Sequence, residues 1–266
     1  MESICKTKYP ILLVHGSNCR DYGLIDSWGR IPDVLKKNGA KVYFGQQDGW
    51  GTIEENAEFI KNRIFKIIKK TNCKKVNIIA HSKGGLDCRY MIQAFHMSGY
   101  VASLTTIATP HYGSKAIDIY CRFPDFCKKI IAILVDFKCR LMGDKNPNFL
   151  KGFQQMSTSH CHSFNQHIQD CADTYYQSTI SIMKNFGSDF LYSIPYLVIF
   201  LLEGKNDGLV SVQSAKWGNF RGVIQTKAKR GISHIDIVDY RKKTLSNFNV
   251  LQFYINLVKD LKEKGF

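Results

Sequence analysis

Apolar and polar residues alternate along this chain in blocks whose period switches between strand and helix. Tyr9-Pro-Ile-Leu-Leu-Val14 is a short apolar run closed by His15-Gly16, the mark of a buried strand ending in a tight turn. Lys41-Val-Tyr-Phe44 predicts a second strand, and Thr52-Ile-Glu-Glu55 is a capping box that opens a helix to about Lys70. Ile53, Ala57, Ile60, Ile64, Ile67 and Ile68 give that helix one apolar face. Lys75–Ala80 predicts a strand that runs directly into His81-Ser82-Lys83-Gly84-Gly85 and a helical stretch from Leu86 to Phe95. Val101–Ala108 predicts a further strand, ending in Thr109-Pro-His-Tyr-Gly113. Strands alternating with helices imply an α/β fold: a mostly parallel sheet, helices on both faces, and sites at the carboxyl ends of strands.

From Ser114 to about Ser193 the strand rhythm stops and apolar residues recur at helical spacing. This reads as a helical insertion over the sheet. Ile194–Leu202, the most apolar run of the chain, predicts a strand ending in Glu203-Gly-Lys-Asn-Asp-Gly208; Val223–Lys227 predicts the last strand and Leu251–Lys262 a closing helix. The sequence shows no internal repeat or low-complexity tract.

At 266 residues and 44% apolar content, one domain with a modest insertion accounts for residues 1–266. Ile194–Leu202 is far short of the ~20 residues a membrane-spanning helix needs, and the N-terminal residues lack the pattern of a cleaved leader. Nine cysteines without a Cys-x-x-Cys pair argue against a zinc ribbon or a full disulfide framework. The net charge of +15 accompanies no nucleic-acid-reading module, so it reads as a solvated basic surface or as attraction to anionic lipid interfaces and fatty-acid product.

Ala80-His81-Ser82-Lys83-Gly84 fits a nucleophile elbow, small-x-Ser-x-Gly, placed between an apolar strand and a helix. The demand is steric: the serine sits in a strained turn, and bulky neighbours two residues away would strike adjacent backbone. A serine hydroxyl needs a base, and the base needs an orienting acid, in the chain order Ser, Asp or Glu, His. Asp207, in Asn-Asp-Gly-Leu-Val, and His234, in Gly-Ile-Ser-His-Ile-Asp, satisfy that order. By turn propensity alone Asp207 would be an ordinary Asn-Asp-Gly turn residue; no other histidine follows it, so a triad requires His234. The oxyanion donors expected are the backbone N–H groups of Lys83 and of Ser17, in the loop after the first strand. His15 and Gly16 would shape that loop, and the Lys83 side chain would extend to solvent.

Taken together these segments resemble the bacterial triacylglycerol lipases. The resemblance rests on Lys8–Gly16, on Val76–Asp87 with Arg89-Tyr90, on Val101–Ser114, on Asn206–Val210 and on His234-Ile-Asp236. It implies the α/β-hydrolase fold, hydrolysis of acylglycerols at a lipid–water interface through Ser82, His234 and Asp207, no cofactor for the chemistry, secretion, and a helical lid over 114–193. Cys121, Phe123, Phe126, Ile130, Ile131, Ile133, Leu134 and Phe137 would form the lid's apolar inner face; ordinary packing of cap helices is the competing reading. Phe164-Asn165 and Tyr175–Ser178 look like segments of the family's cap. Some relatives hold calcium near the histidine. Asp236 matches one ligand and Asp189 could supply the second carboxylate, whereas Tyr240 stands where an amide ligand would be. Structural calcium therefore stays open. His160-Cys161-His162 with His167 reads as lid surface rather than zinc, because adjacent ligands on a helix face different directions. Two alternatives accompany the lipase reading: a carboxylesterase of short soluble esters, and a catalytically silent hydrolase fold used for binding, against which the complete Ser, Asp and His set counts. An acyl-thioesterase or amidase would use the same triad.

Overall fold

The computed structural model describes residues 3–21 and 26–266; Met1 and Glu2, part of the segment read for a leader, lie outside them. The chain builds β1 (Ile11–Val14), α1 (Ile31–Lys37), β2 (Val42–Phe44), α2 (Ile53–Thr71), β3 (Val76–His81), α3 (Lys83–Ala94) and β4 (Val101–Ile107). Four helices follow: α4 (Lys115–Cys121), α5 (Asp125–Leu141), α6 (Phe149–Gln154) and α7 (Thr158–His167). The chain then forms β5 (Tyr175–Ser181), α8 (Ser193–Glu203), α9 (Val212–Ala215), β6 (Asn219–Ile224) and α10 (Val250–Glu263). The six strands form one sheet in the order β2-β1-β3-β4-β5-β6, every pair parallel. This is the mostly parallel sheet of the α/β-hydrolase fold.

Alternation along the strands assigns the two faces. Ile11, Leu13, Ile79 and Ile107 pack with α1 and α10, while Leu12, Val14, Ile78 and Ala80 pack with α2 and α3. The Thr52 capping box is formed, with the Thr52 side chain accepting from the Glu55 N–H, and Ile53, Ala57, Ile60, Ile64 and Ile67 are buried as the periodicity requires. The chain leaves β1 toward β2 at one side of the sheet and β3 on the other, so the loops after β1 and β3 part at their carboxyl ends. Such a switch point opens a crevice.

Four expectations need correction. Ile194–Leu202 is helix α8, not a strand. A continuous apolar run carries no periodicity, and Pro195 falls in the first turn, where its missing N–H costs the helix nothing. Second, Tyr175–Ser181 is the fifth strand of the sheet, between β4 and β6, and not cap. The helical segment over the sheet thus ends with α7 and resumes at α8. Third, the apolar stripe expected to face inward points outward: Phe126, Ile130, Ile133, Leu134 and Phe137 are all more than half exposed, and α5 instead buries Lys128, Ala132 and Cys139. Fourth, within α7, Cys161 is fully buried rather than on the surface, while His162 and His167 are exposed.

Candidate active site

The turn from β3 into α3 has the geometry the elbow demands. Ser82 adopts φ 53° and ψ −132°, a region that non-glycine residues avoid. The turn is held by its surroundings: Ser82 N–H donates to Ile107 O at 2.9 Å, and Ser82 O accepts from Thr109 Oγ1 at 2.8 Å. The small residues are obligatory. A Cβ on Gly84 would lie 2.4 Å from His15 O and one on Gly85 2.2 Å from Thr109 Oγ1. Gly16 in the opposing loop comes equally close, since a Cβ there would meet Ser82 Cβ at 2.7 Å. His15 stays out of the site, with Nε2 3.1 Å from Gln47 O while Gln47 Nε2 donates to His15 O at 2.9 Å.

His234 Nε2 lies 2.9 Å from Ser82 Oγ, and His234 Nδ1 lies 2.7 Å from Asp207 Oδ2. The other Asp207 oxygen accepts from the N–H groups of Leu209 at 3.0 Å and Val210 at 2.8 Å, and His234 N–H donates to Asp207 O at 2.9 Å. Asp207 is fully buried. Its turn bonds do not compete with the histidine: one oxygen serves the turn and the other the imidazole. Asp207 follows α8 and His234 follows β6, so the three side chains meet from distant parts of the chain.

A cavity of about 440 Å³ opens over Ser82 and His234, lined mostly by apolar side chains that include Trp50, Ile117, Phe153, Met156, Leu191 and Val210. Ser17 lines it as well. Lys83 is the first residue of α3, where backbone N–H groups have no partner within the helix. Its side chain does not extend to solvent. Lys83 Nζ is buried and donates to Asp87 Oδ1 at 2.7 Å, and Asp87 Oδ2 accepts from Asn56 Nδ2 at 3.0 Å. Burial pushes the Asp87 carboxyl up, while Lys83 and Asn56 pull it down.

Sequence reasoning missed His81. Its ring packs 4.6 Å from the His234 ring, and His81 Nε2 lies 3.0 Å from His234 O. Burial first, then the neighbouring His234, holds the His81 imidazole well below its ordinary range, and the ring packs against the turn that carries His234. His81 also borders the cavity, and its place directly before the elbow serine could have flagged it.

The calcium expectation meets a different arrangement. Asp189 Oδ2 accepts from Arg241 Nη1 at 2.6 Å and from Ser233 Oγ at 2.7 Å, and Asp189 Oδ1 accepts from Arg241 Nη2 at 2.9 Å. Asp236 Oδ2 accepts from Arg230 Nη1 at 2.5 Å and from Ser233 N–H at 3.0 Å, and Asp236 Oδ1 lies 3.3 Å from Arg241 Nη1. Calcium takes six to eight oxygen ligands, and these carboxylate oxygens are already engaged by cations. Tyr240 lines the cavity instead of this cluster. The residues present do not fit the ion.

Residues 10–189 match the family model described as palmitoyl protein thioesterase. The chain belongs to that family. Triacylglycerol lipase 2 of Saccharomyces cerevisiae is 28% identical over 268 residues, covering 91% of this chain and 75% of the yeast protein. A triacylglycerol lipase of Pseudarthrobacter phenanthrenivorans is 36% identical over 126 residues, 44% of this chain and 38% of the bacterial one. This palmitoyl-protein-thioesterase-family chain therefore spans three quarters of the yeast relative but little more than a third of that bacterial one. Among solved structures, the Staphylococcus hyicus lipase superposes with a TM-score of 0.74 at 16% identity over 97% of both chains. The mature Bacillus licheniformis lipase gives 0.67 at 20% identity over 95% of this chain and 92% of that one. The resemblance to lipases stands, and with it the assignment as a serine hydrolase acting on carboxylic esters; the solved structures add the fold. No helix among the described residues is long and apolar enough to cross a membrane.

Proposed function

We propose that this chain is a triacylglycerol lipase in which Ser82 is the nucleophile, His234 its base and Asp207 the acid behind the base. The observation that carries the reading is the Asp207–His234–Ser82 relay, at 2.7 and 2.9 Å, at the floor of an apolar cavity. His234 takes the Ser82 proton as Oγ attacks the ester carbonyl. The N–H groups of Ser17 and Lys83 receive the oxyanion, each worth about 3 kcal/mol in the transition state. His234, held by Asp207, then protonates the leaving alcohol, and water repeats the sequence on the acyl-enzyme. No step needs a cofactor.

The outward stripe of α5 and the exposed Ile194, Leu197, Leu201 and Leu202 of α8 supply the surface that meets substrate. Leu191, in the 3-10 turn before α8, and Pro195, in the first turn of α8, line the cavity, so the apolar patch runs to its mouth. Exposed apolar surface this extensive marks a binding face, and a net charge of +15 suits an anionic lipid interface. The family model favours a second reading, acyl-thioester cleavage by the same residues.

Hydrolysis of p-nitrophenyl butyrate, p-nitrophenyl palmitate, emulsified tributyrin and a palmitoyl thioester separates these readings. Activity rising as tributyrin passes its solubility limit, and lost when Phe126, Ile133 and Phe137 are all replaced by Asp, supports the interfacial lipase. Activity confined to soluble butyrate, or highest on the thioester, overturns it.

A further inference from the structure

Asp189 and Asp236 are buried acids from distant parts of the chain that meet around Ser233. Asp189 precedes the 3-10 turn that leads into α8, and Asp236 sits two residues beyond His234. Between them lies Ser233, whose hydroxyl donates to Asp189 and whose N–H donates to Asp236. Two guanidinium groups close the box. Arg241 grips Asp189 with both Nη atoms and reaches Asp236, while Arg230 binds Asp236 and approaches Asp189 Oδ2 at 3.6 Å. Two carboxylates and two guanidiniums balance in charge. A bidentate arginine also fixes direction, which a point cation does not.

We infer that Arg230 and Arg241 do the work a divalent cation would do between these carboxylates, making them the positioning residues of the His234 turn and freeing the chain from calcium. The inference rests on His234 being the base. Burial would raise the Asp189 carboxyl, but Arg241 and Ser233 outweigh it and hold the group below its ordinary range; Asp189 is thus a permanent anchor for Ser233, whose backbone continues into His234. Calcium entering this box would add two charges to a neutral set and would have to displace both arginines. Through Ser233 the network fixes the imidazole that faces Ser82 without touching substrate.

The test compares melting midpoints in chelator and in millimolar calcium for the native chain and for Arg230→Ala/Arg241→Ala, alongside kinetics of Arg241→Ala and Arg241→Lys on p-nitrophenyl butyrate. The native midpoint should be the same in both buffers, and calcium should raise the midpoint of the double variant alone. Arg241→Ala should lower kcat by about tenfold or more with KM little changed, because a displaced imidazole impairs proton transfer and not binding; Arg241→Lys should recover part of the loss. A native midpoint that rises with calcium, or Arg241→Ala with unaltered kcat, overturns the inference. Should the double variant fail to fold, calorimetric titration of the native chain with calcium decides: no binding supports the inference, and binding that disappears in Asp236→Asn sinks it. His234→Ala, assayed in parallel, separates the two claims. If it is inactive while Arg241→Ala is unaffected, only the positioning role fails; if it is active, the assignment of the base fails.

Discussion

The buried Lys83–Asp87 pair tests whether the residue after the nucleophile acts through its backbone or its side chain. At 2.7 Å the two charges attract by about 6 kcal/mol at an effective dielectric constant of ~20. Both side chains are almost wholly buried, at 1% and 2% exposure, so most of that attraction offsets the cost of removing them from water. Removing one partner strands the other. Lys83→Met and Asp87→Asn should therefore each cost about 3–5 kcal/mol in urea unfolding. The double replacement Lys83→Met/Asp87→Asn should cost clearly less than the sum of the singles, giving a coupling of about 3 kcal/mol in the cycle. Methionine at position 83 keeps the N–H assigned to the oxyanion, so kcat on p-nitrophenyl butyrate should fall less than about tenfold. Native-like stability in Lys83→Met together with a kcat loss of about a thousandfold would refute this reasoning and make the ammonium part of the chemistry.

Gly16→Ala should lower kcat/KM by about a hundredfold or more, since its methyl group would press on Ser82 Cβ from 2.7 Å and displace Oγ from His234; steady-state kinetics on a soluble ester with native-like kcat/KM would contradict it. Acid should destabilise the fold through His81 and His111, both buried and both held well below 6.5, by burial and then by His234 and Arg89 respectively. Their depressed native values mean that the stability they contribute is present above pH ~6.5 and is lost as pH falls toward the native values, because the unfolded chain takes up two protons that the folded chain refuses. The limiting slope for two such protons is about 2.7 kcal/mol per pH unit, and unfolding free energies that stay level from neutral to mildly acidic pH would exclude it.

Much of this fold was legible because parallel strands buried on both faces are written as near-continuous apolar runs. The strands before Gly16, Ser82 and Thr109, and the capped helix at Thr52, all lie where patterning placed them. The same rule misled at Ile194–Leu202. That segment is a helix with apolar residues left on its outer side, and a nine-residue apolar run records burial or exposure no better than it records period. The stripe on α5 had the correct helical spacing, but spacing fixes which residues share a face and not which way that face turns. Tyr175–Ser181, expected as cap, carries Tyr, Gln, Ser and Thr in place of an apolar run, so patterning does not mark it as a strand although it sits inside the sheet. At the site, Ser82, Asp207 and His234, which motif and chain order singled out, are brought within hydrogen-bond distance of one another. The Arg230 and Arg241 network was not legible, since it depends on Asp189 and Arg241 meeting across a sequence separation of 52.

The central claim is that Ser82 is the nucleophile, and the most direct test is covalent trapping with a p-nitrophenyl alkylphosphonate followed by peptide mass spectrometry. A single phosphonyl adduct on the peptide containing Ser82, absent in Ser82→Ala and strongly slowed in His234→Ala, is the result this account predicts. An adduct on any other residue, or ester hydrolysis that survives Ser82→Ala, would contradict it.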